Sequence, residues 1–90
     1  MSTWLIVAEE SVTAEGASPQ RHIEIIRTVA GGKSREEALA ELYKAAKSHV
    51  PDSLKGVSRV VGRDGDGSFW VLPKSGKGFT SCHIRLIEQV

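Results

Sequence analysis

The sequence predicts a two-layer α+β domain, with one helix packed on a four- to five-stranded, mostly antiparallel sheet in the order ββαβββ. Three observations carry this. Only the segment 34–50 combines helical periodicity with a start and a stop signal. Apolar runs of strand length lie on both sides of it. Short clusters rich in Gly and Asp or Lys separate the later runs, as hairpin turns do. A β-grasp arrangement is compatible with this order of elements, but the order of strands within the sheet is not readable from it.

Trp4–Ala8 (WLIVA) is a short continuous apolar run of β-formers, as in a strand covered on both faces. The polar stretch 10–20, with Gly16 and Pro19, reads as a loop. In RHIEIIRTVAGG, Ile23, Ile25 and Val29 share one parity, so a second strand is expected. The adjacent Ile25 and Ile26 break the alternation, which calls for a bulge or a partly covered second face.

Ser34-Arg35-Glu36-Glu37 matches a capping box. Leu39, Leu42, Tyr43, Ala46 and Val50 then recur at helical spacing. Acidic residues lie early and Lys44, Lys47 and His49 late, as the helix dipole favours. Pro51 bars continuation. The last third reads as strands Val57–Val61, Phe69–Leu72 and Phe79–Ile87. In the last of these Cys82, Ile84 and Leu86 point one way and Ser81, His83 and Arg85 the other. Over about a quarter of the chain, a strand followed by GGKSREEALAELYKAAKSH resembles the strand–turn–helix of antitoxin-type small domains. The shared part is helix-start chemistry that many folds use, and no functional residue is carried over.

Residues 1–90 are read as one domain with a modest core, for which oligomerisation is a plausible supplement. A net charge of +1 supplies no global attraction to nucleic acid or to a membrane surface. The single cysteine, Cys82, excludes an intrachain disulfide and a cysteine-based zinc cluster. Its parity makes it a buried structural thiol. The first ten residues have no basic leader, and no segment has the length of a membrane span. A cytoplasmic protein with no membrane partner is therefore expected.

Asp64-Gly65-Asp66-Gly67 is like the start of a calcium loop. The third ligand, the late glutamate and the flanking helices are missing, so a hairpin turn is the better reading. Pro73–Gly78 (PKSGKG) has the composition of a phosphate loop, but a strand follows where a helix is required. His22, His49 and His83 lie on three different elements, and only His22 and His83 could meet across the sheet. No nucleophile elbow, dinucleotide fingerprint or metalloprotease helix is present. No catalytic residue, cofactor or metal ligand is assigned.

The sheet itself is the remaining candidate. One helix covers one face. Phe69 and Trp70 are adjacent in a strand, so one of the two faces away from the helix. Phe69, Trp70, His83, Arg85 and Arg59 are the candidate interaction surface. The expectation is a small non-catalytic interaction module that forms a homodimer or binds a protein partner through this face. The alternatives are stacking of single-stranded nucleic acid on its aromatic and arginine side chains, and small-ligand binding or a role as an enzyme subunit, with His22, His83 and Lys77 lining a pocket.

Overall fold

A computed structural model describes residues 3–13, 20–74 and 79–90. Five strands form one sheet, and one helix lies against it: β1 (Trp4–Thr13), β2 (Gln20–Val29), α1 (Arg35–Ser48), a 3-10 turn at Asp52–Leu54, β3 (Arg59–Arg63), β4 (Phe69–Pro73) and β5 (Phe79–Glu88). The sheet order is β2-β1-β5-β4-β3, and every neighbouring pair is antiparallel. This is a two-layer α+β architecture; a β-grasp arrangement is not established by this order. The chain passes from β2 at one edge, through α1, to β3 at the other edge. The helix therefore crosses one face, contacting β5, β2, β4 and β1.

β1 is twice as long as its apolar run implies, because Glu9–Thr13 continue the strand beyond Ala8. The first four of the residues expected to be loop, 10–13, are thus sheet, while 14–19 lie outside the described residues. Polar residues can extend the strand here because β2 and β5 satisfy its backbone on both sides. Likewise β3 starts at Arg59 rather than Val57, and β4 includes Pro73. Pro73 stands opposite Arg59, and the β4–β5 ladder has already ended at Val71↔Cys82. The missing proline N–H thus deprives no ladder of a donor.

The β1–β2 register shifts between Ile6↔Arg27 and Val7↔Ile25, leaving Ile26 as the extra residue of a bulge. The bulge resets the parity. Val29 faces the helix and is buried, and Ile26 packs against the same core. Ile23 and Ile25, which share Val29's parity in sequence, face the other way.

Ser34 caps α1 in a complete capping box, accepting from the Glu37 amide at 3.1 Å while the Glu37 carboxylate accepts from the Ser34 amide at 3.3 Å. The buried side of the helix is Ala38, Leu42, Ala45 and Ala46, with Leu39 partly buried. Tyr43 and Val50, expected in the apolar stripe, are exposed. The alanines bring the helix close to the sheet, and Tyr43 at the flank touches Phe69 edge-on, with ring centroids 5.8 Å apart. Ile6, Ala8, Phe69, Val71, Cys82 and Ile84 meet the helix from the sheet. Fourteen helical residues span only about 21 Å, whereas a ten-residue strand spans about 33 Å. Pro51 and Leu54, both buried, cover part of the remainder.

Candidate functional site

The face away from the helix is assembled by cross-strand pairing, since directly opposed residues share a face. One row reads Ile23, Glu9, His83, Trp70, Gly62 across all five strands. Ile25, Val7 and Arg85 form the row on one side of it, and Arg21, Ser11 and Ser81 a row on the other. Leu72 and Val60 pair across β4 and β3.

Three of the five expected surface residues come together here: Trp70, His83 and Arg85. The other two do not. Phe69 faces the helix and is 4% exposed. Arg59 lies opposite Pro73 on the helix side of β3. The alternation of β4 forces this choice: once Val71 pairs with buried Cys82, Phe69 must share its side and Trp70 must not. His22 pairs with Glu10 on the helix side, so it does not meet His83. Among the described residues no group of His, Cys, Asp or Glu is placed to hold a metal ion.

The charged and aromatic polar groups of the face are tied to one another or to the neighbouring turn. Glu9 is the hub. Its Oε1 accepts from Arg85 at 3.0 Å and its Oε2 lies 3.0 Å from Arg21 Nε. One carboxylate thus engages two guanidinium groups. The Trp70 and His83 rings stack, with centroids 4.4 Å apart and planes 15° apart. The Trp70 indole N–H donates to Asp64 Oδ2 at 2.8 Å. His83 Nε2 lies 2.7 Å from Ser68 Oγ, and the Ser68 hydroxyl donates to Asp66 Oδ1 at 2.6 Å.

Histidine, serine and aspartate in line invite comparison with a catalytic triad, but the order is reversed. An activated serine gives its proton to histidine, and the carboxylate holds the histidine. Here the only hydroxyl proton goes to Asp66, so Ser68 accepts from His83 Nε2–H. The Ser68 hydroxyl and amide, with the charge of His83 adding to them, hold the Asp66 carboxyl below its usual range. This favours the carboxylate as acceptor. The DGDG segment is therefore turn chemistry that also organises the sheet. Gly67 at φ 90° closes the turn, and both carboxylates clamp residues of the face. The lysine–glycine segment lies outside the described residues from 75 to 78.

Val7, at the centre of the face, is buried, but the apolar side chains of the outer strands stay in solvent. Ile23 is 54% exposed and Ile25 59%, with Val60 at 44% and Leu72 at 38%. The described C-terminal residues do not cover them, since the Gln89 amide donates to the Thr3 carbonyl at 2.8 Å and so continues the β5–β1 ladder. Sequence reasoning missed Glu9 and Ser68 as organising residues. Extending the alternation of β1 from Leu5 and Val7 would have placed Glu9 on this face. Nothing in the sequence singles out Ser68.

Comparison with family models, with curated proteins and with solved structures finds no match to this chain.

Proposed function

We propose that the protein is a small non-catalytic association module that packs the uncovered sheet face on a second copy of itself or on another protein, in a reducing compartment such as the cytoplasm. One observation carries this reading. The charged and aromatic polar groups of the face, Glu9, Arg21, Arg85, Trp70 and His83, have partners within the molecule, whereas Ile23, Ile25, Val60 and Leu72 remain exposed. Burying this face strands no charge at Glu9, Arg21 or Arg85, because each already has its partner. Burying Ile23, Ile25, Leu72 and Val60 removes apolar area from water. Sheet-on-sheet packing is the geometry such a face offers.

The same observation weighs against single-stranded nucleic acid. Arg21 and Arg85 are committed to Glu9, and one side of the Trp70 ring is occupied by His83. Counterion release needs cations free to meet phosphates. A role in catalysis finds as little support, with the Ser68 hydroxyl donating away from His83.

Sedimentation equilibrium at micromolar concentration tests the proposal. The expected result is a reversible dimer that Ile25→Glu and Leu72→Glu each shift towards monomer. A strict monomer that also captures no protein partner through these residues overturns it. Retention on oligonucleotides at low salt would favour the nucleic-acid alternative instead.

A further inference from the structure

We infer that the free edge of β3, together with the cleft between β3 and α1, docks an extended peptide segment of a partner, one that presents an acidic, an apolar and an acidic side chain at alternate positions. Three independent features of the same place support this.

The first is the backbone. β3 is the last strand of the sheet. The Asp64 amide donates to the Ser68 carbonyl at 2.7 Å, and the Lys74 amide to the Ser58 carbonyl at 2.8 Å. In an antiparallel ladder hydrogen-bonded and non-bonded pairs alternate. Ser58, Val60, Gly62 and Asp64 therefore turn their backbone groups towards β4. Arg59, Val61 and Arg63 turn theirs outward, where no strand follows among the described residues. The edge carries no proline and no bulge within its five residues.

The second is shape. A cleft of about 750 Å³ between helix and hairpin is walled by Leu39, Ala40, Tyr43 and Phe69, with the charged Glu36, Lys44 and Arg63 also lining it. A neighbouring depression of about 280 Å³ is lined by Tyr43, Lys47, Val61, Arg63 and Phe69. A strand added to β3 would point the side chains opposite Arg59, Val61 and Arg63 to the helix side, because hydrogen-bonded partners share a face. The residue opposite Val61 would meet Tyr43 and Val61 in the smaller depression. This is strand addition beside a helix, in which main-chain bonds supply affinity and alternate pockets supply specificity.

The third is charge. Arg63 lies over the Tyr43 and Phe69 rings, 5.8 and 5.3 Å from their centroids, and Lys47 lies 5.4 Å from the Tyr43 centroid. Neither Arg59, Arg63 nor Lys47 has an acidic partner among the described residues. Arg59 Nε is shielded from solvent and meets no acceptor. These cations also decide who docks. A second copy paired antiparallel about Val61 would set Arg59 against Arg63 of the other copy, and like charges directly opposite repel. Arginines at an edge thus discourage self-pairing while matching an acidic strand.

The test uses the 15N-labelled full chain and the acetylated, amidated peptide Ser-Glu-Thr-Val-Thr-Glu-Ser. Docking slows hydrogen exchange at the Arg59, Val61 and Arg63 amides and leaves Val60 and Gly62, already bonded to β4, nearly unchanged. Replacing both peptide glutamates by lysine abolishes the effect. Each of Arg59→Glu and Arg63→Glu weakens binding about fivefold, and the double variant prefers the lysine peptide. Val61→Pro removes an outward N–H that β4 does not use; it abolishes docking while the fold, checked by circular dichroism, persists. If that variant does not fold, the charge reversals decide alone. The inference is overturned by unchanged exchange at millimolar peptide, by protection centred on Trp70 and His83 or on β2, or by protection of the β3 amides that rises with protein concentration without peptide.

Discussion

Phe69 and Trp70 are neighbours in one strand and live in different worlds. Phe69 is buried among aliphatic side chains, and its ring is touched by Tyr43 and by the Arg63 guanidinium. Trp70 is partly buried, stacked on a histidine and tethered to a turn carboxylate. The same contrast holds for the two faces as wholes. On the helix side the core is alanine, leucine, isoleucine and valine at close packing. On the other side, hydrogen bonds and ion pairs hold the centre while Ile23, Ile25, Val60 and Leu72 remain in water. One face contributes most of the folding energy. The other keeps an organised surface at little cost to stability, which suits the association proposed above.

The largest test of this contrast is the pair Phe69→Ala and Trp70→Ala. The first should cost about 3–5 kcal/mol through a core cavity. The second should cost less, about 1–3 kcal/mol, because that side chain is only partly buried and leaves no closed cavity. Equal losses in urea denaturation would break the distinction.

Cys82 is next. Burial, with the charges of Glu10 and Glu24 adding to it, pushes the thiol up to about 11. A raised thiol value means that the unfolded chain loses its proton first. Stability should therefore be constant below the ordinary thiol value and fall as pH rises from about 9 towards 11. At pH 8 the native protein should resist a disulfide reagent that reacts freely after denaturation. Cys82→Ser should cost about 1–3 kcal/mol, by burying a hydroxyl among aliphatic neighbours.

Glu9→Gln probes the polar centre of the other face. It leaves Arg21 and Arg85, both partly solvated, without their shared carboxylate. The expected loss is about 1 kcal/mol, shrinking in high salt. The smallest effect should come from Ile23→Thr, within about 0.5 kcal/mol of the parent in stability, yet weakening association in sedimentation. Loss of stability without loss of association would place Ile23 with the core instead.

Much of the helix-side layer is legible in the sequence. The capping box forms as its four residues imply, and Cys82 and Ile84 fall on the buried side as alternation requires. Which face each remaining residue joins is not legible. One bulge at Ile26 separates Ile23 and Ile25 from Val29, and a single-parity reading has no place for that extra residue. The continuation of β1 through Glu9 and Glu10 is hidden because its stabilising partners are far away in sequence. Glu10 accepts from the Ser53 amide at 3.1 Å and from the Ser53 hydroxyl, and Glu9 pairs with Arg85. Helical spacing misplaces Tyr43 for a related reason. Periodicity marks a wide arc, and only the crossing angle on the sheet decides which part of it is buried.

The Gln89–Thr3 hydrogen bond and the long β1–β5 ladder have a further meaning for how the chain assembles. The first and last strands form the spine of the sheet, while each hairpin beside them is local. Until β5 joins, the β1–β2 and β3–β4 hairpins share no ladder, so a nascent chain holds two half-sheets awaiting their keystone. Contacts this distant in sequence slow folding. They also make the backbone nearly a ring, so a short link from Gln89 to Thr3 would let the chain be cut open elsewhere without rewiring the sheet.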